Sequence, residues 1–222
     1  MFTRGRDSTG GSHGPNPWIL ATTQARLPGI WVGQRAPIET GSLILHVLFV
    51  CTGNICRSPT AERLAAAYVL QNPIPGFTAS SAGTRAVIGN PIHHEAALVL
   101  EKMGVETSHF AARQLTQRVA SSADLVVTMA RRHRDSVLEL APRLLRKTFT
   151  LTELARLVSE HQAQTVEDLT ALRPLLTASE VPDITDPIGH DAEVFARIGA
   201  QIADLLPPVL ELCRRSSSSA AG

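Results

Sequence analysis

Leu45-His46-Val47-Leu48-Phe49-Val50-Cys51-Thr52-Gly53-Asn54-Ile55-Cys56-Arg57-Ser58-Pro59-Thr60-Ala61-Glu62 is the stretch on which the fold is read. Residues 45–50 form an apolar run rich in valine and leucine, as expected of a strand buried on both faces of a parallel sheet. From Arg57 to Leu70 helix formers recur at helical spacing. The residues between them make a loop from the carboxyl end of a parallel strand to the start of a helix. Open α/β sheets place their ligands there.

The residue types of this loop specify a chemistry. A loop that curls into a helix start turns several backbone N–H groups toward one point and makes a nest for an oxyanion. Arg57 adds a planar two-donor fork for two oxygens of the same anion. Cys51 stands where the loop begins, so its sulfur faces that positive concavity, which stabilises a thiolate and makes a nucleophile near neutral pH. Ser58 is placed to donate a hydrogen bond to the sulfur. A cysteine aimed at a bound phosphate points to phosphoryl transfer through a phosphocysteine. The bland alternative is a small buried hydrophobe, and a Cys-x5-Arg pair alone is weak. Gly53, Asn54 and Ser58, set between a strand and a helix, weigh against it.

Further along, Phe77 to Ser81 reads as a second strand, with Ser81-Ala82-Gly83-Thr84 at its end. Pro91 to Met103 reads as a helix with Pro91 at its start and Gly104 as its C-terminal cap. His93 and His94 are neighbours on it, cannot chelate as an i,i+4 pair, and read as surface residues. A short helix is expected near 111–119 and a strand over 123–129. Arg131, Arg132, His133 and Arg134 then crowd a helix start, where cations oppose the helix dipole. They form either a solvated face or a positive rim that draws anions to the cleft. Lys147 to Phe149 reads as a fourth strand, and 151–177 as two helices or one broken helix. The last helix, Glu193 to Leu212, is expected to kink or restart at Pro207-Pro208.

Cleaving a phosphate ester calls for an acid above the scissile oxygen. The candidates are Asp183, Asp186 and Asp191, all in the loop before the last helix, and the residues alone do not choose among them. Asp186 has one local argument, since Pro187 restricts its backbone.

Composition bounds the rest. With 222 residues, 44% of them apolar, the chain has material for one core, and the 4% aromatic share makes it a core of Leu, Val, Ile and Ala. The expected organisation is a flexible extension over 1–41, a domain over 42–213 and a disordered serine-rich tail over 214–222. Residues 45–213 hold 15 basic and 18 acidic side chains, with no basic stripe among aromatics, so no nucleic-acid partner is expected. Three cysteines do not describe a disulfide-stapled secreted domain. Neither an 18-residue apolar run nor an N-terminal signal core is present, so no membrane association is expected and the cytoplasm is the expected compartment.

The loop from Cys51 to Glu62 resembles the signature of the low-molecular-weight protein tyrosine phosphatases. Further matches follow in the family's order: Ser81-Ala82-Gly83-Thr84, Ala111-Ala112-Arg113-Gln114-Leu115, Ala123 to Met129 with His133 after it, and Asp186-Pro187. The resemblance spans about 45–212. It implies a three-layer αβα fold of the phosphotyrosine phosphatase I-like type, with a four-stranded parallel sheet in the order 2-1-3-4. It also implies hydrolysis of phosphotyrosine in protein or peptide substrates without a metal or other cofactor. By this resemblance Cys51 is the nucleophile, Arg57 binds the phosphoryl oxygens, Asp186 is the general acid, and residues 52–58 (Thr52, Gly53, Asn54, Ile55, Cys56, Arg57, Ser58) form the phosphate-binding loop. Asn54, Ser58 and Ser81 support it. Cys56 is implied as a redox partner that protects Cys51 by a disulfide.

Two positions bear on substrate. Members acting on phosphotyrosine often carry an aromatic residue directly after Asp-Pro, where this chain has Ile188. At Ile55 the branch that hydrolyses phosphoarginine has threonine, so isoleucine resembles the phosphotyrosine branch. The rival readings are a protein arginine phosphatase, an arsenate reductase and a non-catalytic phosphate-binding regulatory module. The reductase needs a cysteine relay that Cys56, early in the loop, and Cys213, at the end of the last helix, do not supply. The module is disfavoured because nucleophile, arginine and acid are all present.

Overall fold

The computed structural model describes residues 45–177 and 181–219. The expected extension over 1–41 lies outside them. Four parallel strands, β1 (Leu45–Cys51), β2 (Phe77–Gly83), β3 (Leu125–Thr128) and β4 (Thr148–Thr150), pair in the order β2-β1-β3-β4. β1 pairs on both sides, with Val50 opposite Ala82 on one neighbour and Thr128 on the other. Its alternation decides the layers. Val47 and Phe49 face one apolar cluster, Leu48 and Val50 the other, and all four are fully buried.

The first face is covered by α1 (Arg57–Gln71), α2 (His94–Lys102), α5 (Leu151–Ser159) and α7 (Ala192–Ser219). The second is covered by α3 (Gln117–Ser121) and α4 (Arg131–Leu140). This is the three-layer αβα arrangement, with the Cys51–Arg57 loop where the chain leaves the central strand. Among the described residues no helix is long and apolar enough to cross a membrane.

The departures from expectation have tertiary causes. α2 begins at His94, not Pro91, because the His93 N–H is taken by Ile55 O at 2.7 Å and its ring caps the helix through Glu95 N. His93 also stacks on Phe195 at 4.8 Å, so it is a packing residue and not a surface one. Residues 111–115 are extended rather than helical. Leu115 N bonds Gly83 O at 2.8 Å and Gly83 N bonds Arg113 O at 3.0 Å, so this segment lies beside the end of β2, and only α3 is helical after it.

The region 151–177 forms two helices, α5 and α6 (Val166–Leu172), each started by a capping box, Thr150 with Glu153 and Thr165 with Asp168. Arg173 clasps them to the sheet, its Nε 2.8 Å from Glu153 Oε1 and its guanidinium 3.8 Å from the Phe149 ring centroid. α7 does not restart at Pro207-Pro208 but runs on to Ser219, so 214–219 are helical where a disordered tail was expected. Each internal proline costs a helix about 3 kcal/mol. Leu206, Val209, Leu210, Leu212 and Cys213 are fully buried, and at about 1.5–3 kcal/mol for a large apolar side chain their packing outweighs that cost. Arg214 and Arg215 both pair with Glu211 on the same stretch.

Candidate active site

The loop after β1 is held from outside by its carbonyl groups. Cys51 O accepts from Thr84 N (2.9 Å), Thr52 O from Arg85 N (2.9 Å), Gly53 O from Val87 N (3.0 Å) and Ile55 O from His93 N (2.7 Å). A trans peptide sets the next N–H opposite to each carbonyl, so the amides of Thr52, Gly53, Asn54 and Cys56 turn to the inner side. The N-terminus of α1 adds its own unpaired amides, and the result is an anion nest. Gly83 permits the closure. A Cβ there would lie 2.5 Å from Thr52 O, so any larger residue would push β2 off the loop.

Asn54 sets the loop's shape. It holds a left-handed backbone, φ 55°, which asparagine tolerates better than most residues, and it is fully buried. Its Nδ2 donates to Ser58 Oγ (3.0 Å) and Ser81 Oγ (2.7 Å), and its Oδ1 accepts from Arg113 N (2.8 Å). Ser81 Oγ in turn donates to Glu62 Oε2 at 2.5 Å. With Ser58 Oγ already accepting from Asn54, its own hydrogen is free to point at Cys51 Sγ, 3.0 Å away. The hydrogens are thus ordered toward the sulfur.

Arg57 is 2% exposed and faces the loop before α7. Nη1 donates to Ile184 O at 3.0 Å and Nη2 pairs with Asp186 Oδ2, while Nε has no partner among the described residues. A buried donor without a partner is costly, and an anion in the nest would satisfy it. The three aspartates separate here. Asp183 accepts from Arg131 N (2.9 Å), and Asp191 caps α7 through Val194 N (3.0 Å). Asp186 alone of the three touches Arg57, and Arg132 Nη2 stands 3.3 Å from the same Oδ2.

Sequence reasoning missed the support that comes from distant segments: Gly83, Glu62, Arg113 and the contact of Thr52 with His133. His133 is 1% exposed, with Nε2 2.9 Å from Thr52 Oγ1. Burial, and after it the Arg57 and Arg132 guanidiniums, push its ring from the ordinary 6.5 down to about 3. It is neutral across the working range and braces the first loop residue. The unfolded chain binds this proton more tightly than the folded one, so stability is lost as pH falls from 6.5 toward 3. His133→Gln is expected to flatten the acid limb of stability by up to about 1.4 kcal/mol per pH unit, measured by urea unfolding at pH 4, 5 and 7. Parallel curves for both proteins would show His133 protonated in the fold.

The model of the family described as low molecular weight phosphotyrosine protein phosphatase matches residues 46–170. A probable low molecular weight protein-tyrosine-phosphatase, AmsI of Erwinia amylovora, is 37% identical over 106 residues, 48% of this chain and 70% of that protein. A protein-arginine-phosphatase of Geobacillus stearothermophilus is 30% identical over 166 residues, 75% of this chain and 94% of that one. The crystal structure of a low molecular weight protein tyrosine phosphatase from T. tengcongensis superposes with a TM-score of 0.62 at 32% identity, covering 75% of this chain and 98% of that one. A nest with a cysteine at its mouth, an arginine with a donor to spare and an aspartate paired to it accord with these matches: the chain is a cysteine-based phosphatase and belongs to the low molecular weight phosphotyrosine protein phosphatase family.

Proposed function

We propose that the protein hydrolyses phosphotyrosine in protein or peptide substrates. The phosphoryl group sits in the nest, where the loop amides and Arg57 hold its equatorial oxygens. Cys51 Sγ attacks phosphorus in line as the P–O bond to the phenol breaks, and Asp186 gives its proton to the departing oxygen. Asp186 then takes a proton from water, whose oxygen attacks phosphorus. The P–S bond breaks, releasing phosphate and restoring the sulfur to its bond from Ser58. Arg57 must leave Asp186 to hold the anion, and its Nε, without a partner among the described residues, suits that exchange.

The tyrosine reading rests on the apolar character of the rim. Gly53 has Ile55 Cγ1 and Val87 Cγ2 within 3.4 and 3.6 Å of where its Cβ would stand, so both side chains line the loop's edge. Val87 is 44% exposed, and Ile188, whose N–H donates to Asp186 Oδ1 at 3.4 Å, is 50% exposed, apolar surface fit for a flat uncharged ring. The length of the match to an arginine phosphatase supports the second reading, hydrolysis of phosphoarginine. Phosphotyrosine and phosphoarginine peptides assayed side by side decide between them. We expect kcat/KM to favour phosphotyrosine by at least tenfold, and faster phosphoarginine turnover would overturn the assignment.

Cys56 is proposed as a redox partner. Peroxide converts the Cys51 thiol to a sulfenic acid with release of water, and the Cys56 thiol condenses with it, releasing a second water and forming a disulfide. Burial first, then the charges of Cys51 and Asp186, push the Cys56 thiol up to about 12, so this closure is slow and speeds up as pH rises. After graded peroxide, a dithiol should restore most activity to the wild type and much less to Cys56→Ser. Equal recovery in both, with no 2 Da loss in the loop peptide, would remove Cys56 from this role.

A further inference from the structure

The cations at the start of α4 have no part in the phosphoryl chemistry above, and they do not behave alike. Arg131 turns to Asp183, with its Nε 3.4 Å from the carboxylate. Arg134 turns to Asp135 (3.6 Å) and Glu153 (3.7 Å). Arg132 turns into the site. Its Nη2 lies 3.3 Å from Asp186 Oδ2 and 3.5 Å from Thr52 Oγ1, and its Nε lies 3.3 Å from His133 Nε2. Those partners fix the guanidinium, while 62% of the side chain stays exposed at the mouth of the cleft. A cation in the first turn works against the helix dipole, so the fold itself does not explain Arg132.

We propose that Arg132 is a specificity-determining residue that screens the leaving group by charge, admitting an uncharged aryl group and disfavouring a phosphorylated guanidinium. The inference rests on the phosphotyrosine reading and sharpens it. The acid must come within about 2.6–3.2 Å of the scissile heteroatom to protonate it. Arg132 touches the same carboxylate, so the first atoms of the leaving group lie about a Debye length or less from its charge, roughly 8 Å at physiological salt. In phosphoarginine those atoms are a guanidinium, and two like charges meet across Asp186. In phosphotyrosine they are a phenyl ring, whose face a guanidinium attracts. His133 is neutral and leaves the screening to Arg132. When phosphate takes Arg57, Arg132 is the cation that stays with Asp186.

The test compares wild type, Arg132→Gln, Arg132→Lys and Arg131→Gln on matched phosphotyrosine and phosphoarginine peptides. The readout is the ratio of the two kcat/KM values. Where phosphoarginine turnover is too slow, its inhibition constant against p-nitrophenyl phosphate replaces that rate. Arg132→Gln should lower the preference for phosphotyrosine tenfold or more. Arg132→Lys, which keeps the charge, should hold the ratio within about threefold of wild type, and so should Arg131→Gln, which removes the neighbouring charge. An unchanged ratio in Arg132→Gln overturns the proposal, as does an equal shift in Arg131→Gln, which would make the effect one of general field. The phosphotyrosine reading itself fails on a different number, the wild-type ratio.

Discussion

Cys51→Ser is expected to cut turnover of any phosphate ester by about four orders of magnitude or more. A serine oxygen attacks phosphorus only with a base to take its proton, and among the described residues none is bonded to the sulfur at that position. The hydrogen bond to Cys51 Sγ comes from Ser58, a hydroxyl whose oxygen already accepts from Asn54. His133 is committed to Thr52, and its ring is pushed down to about 3, so it is a poor acceptor of a proton. The nest is made of backbone and of Arg57, so inorganic phosphate should still inhibit binding of a fluorescent aryl phosphonate within about threefold of wild type. Retained turnover would move the nucleophile elsewhere. Loss of both turnover and phosphate binding would mean that the sulfur holds the loop together.

Asp186→Asn is expected to lower kcat by about a hundredfold to ten-thousandfold on an alkyl-substituted phenyl phosphate. The loss should be smaller on p-nitrophenyl phosphate, whose leaving group needs less protonation. A plot of rate against leaving-group acidity should therefore be steeper for the variant. Phosphate affinity should hold or improve, because the resting carboxylate and the anion compete for Arg57 Nη2. Asp183→Asn serves as the comparison, since the Asp183 carboxylate is bound to Arg131, whereas that of Asp186 is bound to Arg57. If the two variants lose equally, or Asp183→Asn loses more, the assignment of the acid is wrong.

The parts of this site that were legible in the sequence are those whose cause is local. A buried run ending in Cys51 and a helix opening at Arg57 fix a strand, a loop and a helix without any help from the rest of the chain, and the β2-β1-β3-β4 order followed from the resemblance. What was not legible depends on neighbours remote in sequence. Residues 111–115 have the composition of a helix but lie against Gly83, and the start of α2 is delayed because Ile55 O claims the His93 N–H. Pro207 and Pro208 carry a strong local stop signal, and apolar burial on both sides of them overrides it. His133 looked like one more member of a charged run. Only the fold reveals that it is buried under Thr52, 81 positions away in the chain.

The pairing of Arg57 with Asp186 spans 129 positions, and this has a consequence for how the enzyme comes into being. Contacts so distant in sequence form late, since loop closure must precede them. A ribosome adding about 5–20 residues per second exposes Arg57 roughly 6 to 26 s before Asp186. During that interval the nascent chain carries Cys51 and Arg57 but not the proposed acid. Acid-assisted turnover is therefore expected only once the segment that carries Asp186 has been made and has docked against Arg57.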